Sequence, residues 1–114
     1  MNKIILPYPP LILNPNNPAH WSKKHKFKKK YKSDCFYMAK TMEPCIEFRL
    51  EFLPPDQRKR DLDNTIAAFK AGQDGLADAW GINDKDFIIH YPKTLGEPVK
   101  HGAVILTRID GGES

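Results

Sequence analysis

Cysteines and long apolar stretches are scarce in this chain of 114 residues. No apolar run approaches the roughly 20 residues that a membrane-spanning helix needs, and the N-terminus lacks the basic, apolar and small-residue regions of a secretory signal. Cys35 and Cys45 show neither CxxC spacing nor a neighbouring histidine cluster, so we expect buried, reduced thiols and no disulfide or zinc site. These absences predict a cytoplasmic protein without membrane contact.

Several catalytic signatures are also missing. The sequence contains no glycine-rich phosphate loop, no Gly-x-Ser-x-Gly elbow and no His-Glu-x-x-His pair. The four histidines share no regular spacing. These absences argue against P-loop enzymes, serine hydrolases and zinc peptidases. The length of the chain predicts a single domain, residues 1–114, with one modest core.

What the sequence does contain is an uneven distribution of charge around a net charge of +4. Eight lysines lie between Lys23 and Lys40 against the single acid Asp34, and the balance reverses from Asp61 onward. This pattern is typical of a protein in which one surface follows phosphates and another holds a divalent metal ion. The alternative is that the lysines form an ordinary solvated helix face.

The spacing of apolar residues predicts an α+β (mixed α/β) domain, with two helices packed on one mixed sheet. The first helix carries an apolar stripe at Phe27, Tyr31, Cys35, Met38 and Met42. The predicted elements follow the order strand, helix, strand, helix, strand, strand, at residues 3–6, 22–42, 45–52, 61–79, 87–91 and 99–109.

Three further predictions concern the second half of the chain. Gly72 and Gly75 should weaken the second helix by up to about 1 kcal/mol each. His90 lies within a predicted strand, so we expect it to be packed. Residues 111–114 are expected to form a loose tail.

Three cations stand directly before two carboxylates, Asp61 and Asp63, at the start of the second predicted helix. Asp is favoured at a helix N-terminus, where it accepts hydrogen bonds from unpaired amides, so Asp61 has an ordinary interpretation as a cap. Asp63 and Asn64 add oxygen ligands within the same turn, and neighbouring like charges oppose each other unless a cation lies among them. Capping and binding of Mg²⁺, which prefers oxygen ligands, are both open from this segment.

A polar turn before the third predicted strand supplies further acids. A fold that brings this turn beside the end of the second strand would place Asp84 near Asp61 and Asp63. Asp86 is a fourth candidate, although an acid just before a strand is more often a turn residue. Lys70 lies two helical turns after Asp63 on nearly the same face. Its amine could offset charge that develops on a phosphate, or it could be an ordinary surface lysine.

Four motifs occur in order along nearly the whole chain. They are Leu6-Pro7-Tyr8-Pro9-Pro10 with its Asn-rich loop, Arg60-Asp61-Leu62-Asp63-Asn64, Lys70 with Asp74, Gly75 and Leu76, and the Asn83-Asp84 turn before an apolar strand. Together they resemble the RusA family of Holliday junction resolvases. The chain differs from the family pattern at Ala67, where a lysine is usual, and at Asn83, where many members have a second Asp.

The resemblance implies a homodimeric, Mg²⁺-dependent endodeoxyribonuclease, with Mn²⁺ as a substitute metal, that nicks four-way junction DNA symmetrically and is often encoded in phage or prophage DNA. It implies metal-binding catalytic acids at Asp61, Asp63 and Asp84. The family's catalytic lysine is carried over to Lys70, because its spacing to Asp74 fits better than the position of Ala67. The alternatives are a non-catalytic DNA-binding protein and a nuclease that acts on forks or flaps.

Cations of the first helix and of the segment before the acids are expected to contact DNA phosphates, which dominate nucleic-acid affinity. Two residues of the proline-rich loop and its end are expected to join them. The set is Lys23, Lys24, Lys26, Lys28, Lys29, Lys30, Lys32, Arg58, Lys59, Arg60, Asn16 and His20. Few residues resemble base readers, so we expect recognition of DNA shape and backbone.

Overall fold

The computed structural model describes residues 2–109 of the protein. Its regular elements are β1 (Lys3–Leu6), α1 (Trp21–Ala39), β2 (Glu47–Leu53), α2 (Leu62–Trp80), β3 (Ile88–His90) and β4 (Ala103–Arg108). Two short 3-10 turns accompany them, at Leu11–Leu13 and Asp84–Asp86. The α+β fold class and the element order are as the apolar spacing predicts. Within these residues, no helix is both long and apolar enough to cross a membrane.

The four strands form one mixed sheet in the order β1-β4-β2-β3. β4 pairs antiparallel with β1 and with β2, whereas β2 and β3 are parallel. Strand β2 alternates as predicted: Phe48, Leu50 and Phe52 are buried, while Arg49 and Glu51 are exposed. The core therefore lies on one face of the sheet, where α1 and α2 cover it.

The two helices approach each other closely at glycines of α2. A Cβ at Gly75 would overlap the Lys32 carbonyl oxygen and lie 3.0 Å from the Phe36 amide nitrogen. A Cβ at Gly72 would lie 2.8 Å from the ring of Tyr31. Glycine has a low helix propensity, but at these two positions it also permits the tight contact between α2 and α1. The sequence alone did not indicate this contact.

Several predicted element boundaries were wrong, and two residues of the predicted apolar stripe on the first helix are partly exposed. The first helix ends at Ala39, which is fully buried, whereas Phe27 and Met38 are each 37% exposed at the margin of the stripe. β4 begins at Ala103, because residues 99–102 form a turn closed by a 2.9 Å bond from the Gly102 amide to the Val99 carbonyl. The tail, residues 111–114, lies outside the described residues.

Two further predictions concern single side chains. Cys35 and Cys45 are buried, as predicted. His90 was expected to be packed and is instead exposed, because β3 is an edge strand. Its Nε2 lies 2.7 Å from Glu47 Oε2 on the neighbouring strand β2.

Burial raises the pKa of the Cys35 thiol to about 12 and that of the Tyr31 hydroxyl well above its ordinary value. Both groups therefore keep their protons in the folded protein at pH values where the unfolded chain loses them. We expect these two groups to leave the free energy of unfolding unchanged between pH 7 and about pH 8.5 and then to decrease it as pH rises. The slope should reach about 1.4 kcal/mol per pH unit for each group.

Urea unfolding between pH 7 and pH 11 measures this dependence. The Cys35→Ala variant is the comparison, because it lacks the thiol but retains Tyr31. It should lose less stability between pH 9 and pH 10 than the natural protein. An equal decrease in stability in the two proteins would contradict the assignment to Cys35.

Candidate metal site and nucleic-acid interface

Asp61 and Asp63 lie at the N-terminus of α2, immediately after the chain leaves the sheet. Asp61 is the helix cap: its Oδ1 accepts a 2.9 Å hydrogen bond from the Asp63 amide. Both carboxylates are exposed, and a capping carboxylate has a second oxygen that can bind a cation. Capping and metal binding, which the sequence left as alternatives, are therefore compatible at this helix end.

The cations before the acids have different environments. The Arg60 side chain is 17% exposed, and its Nη1 donates to Asp56 Oδ1 at 2.7 Å and to two nearby carbonyls. Arg58 Nε lies 3.8 Å from the same carboxylate, while Lys59 is exposed. The hydrogen bond from Arg60 lowers the pKa of Asp56. Arg60 is thus fixed in place, whereas Arg58 and Lys59 extend toward solvent.

Asp84 does not join Asp61 and Asp63 within one chain. Asp61 precedes α2, whereas Asp84 follows it, and this helix of 19 residues is about 28 Å long. The parallel register places Ile88 beside Glu47, so the turn that contains Asp84 lies at the starting end of β2. The convergence of the three acids expected from the sequence is therefore not formed within a single protomer.

The residues described contain no group of three or more His, Cys, Asp or Glu side chains that could hold a metal ion together. Asp86 is exposed and follows Asp84 in the same 3-10 turn, whose cap is the side chain of Asn83. It is therefore at the same distant end of α2. Each protomer carries the acid pair at one end of this helix and the acidic turn at the other.

The lysines of α1 fall into two groups. Lys30 Nζ lies 3.0 Å from Asp34, and Lys32 Nζ lies 3.0 Å from Asp78 of α2. These two cations are partly neutralised by the protein itself. The remaining five carry no ion pair among the described residues; they are Lys23, Lys24, Lys26, Lys28 and Lys29.

Lys70 shares a cavity of about 280 Å³ with Lys24 and Lys28 of α1. The floor of this cavity includes Ala67 and Ala71, small residues on successive turns of α2. Lys70 lies about 10 Å along the helix axis from Asp63. We call Lys24, Lys28 and Lys70 the basic cavity. It combines three lysines from two helices about two turns along α2 from the acid pair, a convergence that helical spacing within α2 alone did not reveal.

A second cleft, of about 230 Å³, lies between the proline segment and the first turns of α2. We call it the proline cleft. Tyr8, Pro10, Pro55, Arg60, Asn64 and His101 are among its lining residues. No role for His101 or Tyr8 was predicted from the sequence. The sequence feature that could have drawn attention to His101 is its position before Gly102, because a histidine followed by a glycine is compatible with a turn in the left-handed region.

The proline-rich loop presents the remaining predicted DNA contacts. Asn16 is exposed, and His20 caps α1 by accepting from the Ser22 amide at 3.1 Å. Trp21, the first residue of α1, is 72% exposed and its ring lies 5.4 Å from that of His20. His20 thus has a structural role in addition to the one predicted, and Trp21 adds an exposed aromatic ring next to the lysines.

Comparison with known proteins finds a bacterial relative, while no protein-family model matches the chain. The chain is 31% identical over 120 aligned residues to an uncharacterized protein of Xylella fastidiosa, an alignment that covers 97% of this chain and 77% of that protein. The chain belongs to the family of this Xylella protein. The related region extends over nearly the whole chain, so the acid pair and the basic cavity lie within it.

Proposed function

We propose that the protein is a metal-dependent endodeoxyribonuclease of the RusA type, which acts in the cytoplasm as a homodimer on four-way DNA junctions. The observation that supports this proposal is that the acid pair and the basic cavity both lie on the N-terminal half of α2. Carboxylates for a divalent cation and lysines for phosphates are thus about two helical turns apart. The motifs that resemble RusA supply the choice of DNA junctions as substrate.

The acid pair has the donor chemistry that Mg²⁺ requires. Mg²⁺ is usually bound by one or two carboxylates, substrate phosphate oxygens and several waters, and not by a cage made only of protein. Asp61 and Asp63 are exposed and adjacent, so they fit this arrangement. When bound, the metal supplies a water of lowered pKa and neutralises charge on the phosphate. The protein residues position the phosphate: Lys70, Lys24 and Lys28 attract it, and Lys70 stabilises charge on its oxygens.

Asp84 completes the proposed site from a second protomer. A two-fold axis that crosses α2 near its middle places the start of one α2 beside the end of the other. Asp61 and Asp63 of one chain then approach Asp84 of the partner subunit. The two resulting sites lie about one helix length apart. They are equivalent by symmetry, as are the two scissile phosphates of a junction.

Removal of cations from the basic cavity should weaken DNA binding and its dependence on salt. In a Lys24→Ala, Lys28→Ala variant we expect the slope of log affinity against log salt to decrease by about 0.9 for each phosphate that the protein no longer neutralises. Binding of a labelled four-way junction at several salt concentrations measures the slope.

The Lys30→Ala, Lys32→Ala variant is the matched control, with the same change in charge on the same helix. These two lysines already pair with Asp34 and Asp78. Its slope should change less than that of the basic-cavity variant. Equal slopes in both variants would show that the cavity has no special part in phosphate binding.

The nuclease activity is tested with a synthetic four-way junction, with and without Mg²⁺ or Mn²⁺. We expect paired nicks on opposite strands that require metal. A protein that binds the junction but never nicks it would support the alternative of a non-catalytic DNA-binding protein. Forked, flapped, linear duplex and RNA substrates of the same sequence determine whether the junction is preferred.

A further inference from the structure

We infer that the proline cleft binds one unstacked nucleotide of the DNA strand that the protein cuts. This inference rests on the proposed function and specifies how the substrate is held next to the acid pair. Its evidence comes from the size of the cleft, the polar groups in it and the contacts that keep its walls in place.

The size and walls of the cleft fit a single nucleotide. Its volume of about 230 Å³ is below the roughly 300 Å³ at which pockets for drug-sized molecules begin. The rings of Tyr8, Pro9, Pro10 and Pro55 are among the groups that line it. Extruded bases are held between aromatic or apolar side chains of this kind and are read by hydrogen bonds to their exposed edges.

Several polar side chains line the same cleft, and three of them are considered for binding: Asn64, Arg60 and His101. The amide of Asn64 offers a donor and an acceptor, as the edge of a base requires. Arg60 is positioned by Asp56. His101 adopts a left-handed backbone conformation, with φ of 67°, which is uncommon for a residue other than glycine and often marks a functional position.

The walls are fixed before any ligand enters. The Tyr31 hydroxyl donates a 2.6 Å bond to the Pro7 carbonyl and so ties the proline segment to α1. Gly102 packs on Tyr8 so closely that an added Cβ would lie 2.8 Å from the Cβ of Tyr8. The amide of Val99 donates to the Pro54 carbonyl at 2.9 Å and anchors the turn that carries His101. A preformed cleft requires little ordering when it binds.

The position of the cleft links it to the proposed chemistry. Asn64 directly follows Asp63, and Thr65 of the same turn donates its hydroxyl to the Asp61 carbonyl at 3.1 Å. The first turn of α2 thus carries both the acids and the polar edge of the cleft. A nucleotide seated there has its phosphate close to Asp61 and Asp63.

Binding is tested by NMR titration of the metal-free full chain with each of the four deoxynucleoside 5′-monophosphates. We expect shifts of the Asn64 side-chain amide and the His101 ring signal.

In Asn64→Ala and His101→Gly, affinity should fall about fivefold, the loss of one hydrogen bond. His101→Gly also relieves the left-handed conformation, so it should fold. The control His90→Ala, on the far edge strand, should bind normally. No shifts with any nucleotide, or shifts unchanged by both variants, would overturn the inference.

A second measurement separates the inference from the proposed function. Nicking is compared on junctions that differ only in the nucleotides next to the cut, and the ratio between the best and worst sequence should fall toward one in Asn64→Ala but not in His90→Ala. A protein that nicks junctions but shows no nucleotide shifts contradicts the cleft inference alone. A protein that binds nucleotides in the cleft but nicks no DNA contradicts the proposed function alone.

Discussion

A mixed dimer of one Asp63→Asn chain and one Asp84→Asn chain should nick four-way junctions, although neither variant does so by itself. Each single variant lacks a metal ligand and therefore loses several kcal/mol of transition-state stabilisation. This loss corresponds to a decrease in rate of about a thousandfold. In the mixed dimer, one site combines both altered residues and the other combines two natural ones. About half of the natural nicking should therefore return, on one strand of the junction only.

The mixed dimer is obtained by coexpressing the two chains with different affinity tags. A mixed dimer of Asp61→Asn and Asp63→Asn chains is the matched control. These two residues belong to the same chain at each site, so both of its sites are damaged and no nicking should return. No recovery with the Asp63 and Asp84 pair would contradict a site shared between protomers. Normal cutting by Asp84→Asn alone would exclude Asp84 from the site.

Replacement of Gly75 by alanine should lower the free energy of unfolding by about 3 kcal/mol, at the upper end of the usual range for overpacking. Helix propensity alone predicts the opposite, a gain of about 1 kcal/mol. The added methyl group would overlap the Lys32 carbonyl oxygen of α1, which is backbone and cannot rotate away. The helices must therefore separate, which weakens their packing in the core. The midpoint of urea unfolding measures the change.

Gly81→Ala is the comparison for this prediction. Gly81 caps α2 in the left-handed region with φ of 64°, and an added Cβ meets no atom within 4 Å. Its replacement should cost only about 1 kcal/mol, from the backbone conformation. A Gly75→Ala variant as stable as the natural protein would contradict the close approach of the two helices.

Patterns with a clear period were predictable from the sequence. Strand β2 alternates at every second residue, so the burial of Phe48, Leu50 and Phe52 was predicted correctly, and β1 was placed at its observed bounds. The same alternation also predicted burial of Ile46, which was wrong, because Ile46 precedes the strand and is 47% exposed. The glycines of α2 were harder to interpret, because their effect on propensity is local whereas their contact with α1 depends on the packing of two helices. The start of β4 was missed because a turn at His101 and Gly102 separates Val99 from the apolar run that begins at Ala103.

The candidate site was predictable in its components and not in their arrangement. Asp61, Asp63 and Asp84 all flank predicted strands, but apolar spacing carries no information about strand direction. In a parallel pair, the connecting helix returns the chain to the end of the sheet where the first strand begins. Residues after β2 and residues before β3 therefore lie at opposite ends of the strands. An antiparallel pair would have brought them together. The relative direction of β2 and β3 therefore decides whether the three acids lie together within one chain.

The central place of β4 has a consequence for biosynthesis. Among the described strands, β1 pairs with β4 alone, with Lys3 opposite Thr107. Within that part of the chain, the first strand therefore has no neighbouring strand until this distant segment leaves the ribosome. At common elongation rates this delay lasts roughly 5 to 20 s. The nascent chain therefore carries an unpaired edge while the helices are already available to collapse, and ribosome-bound intermediates are the stage at which protection by chaperones matters most.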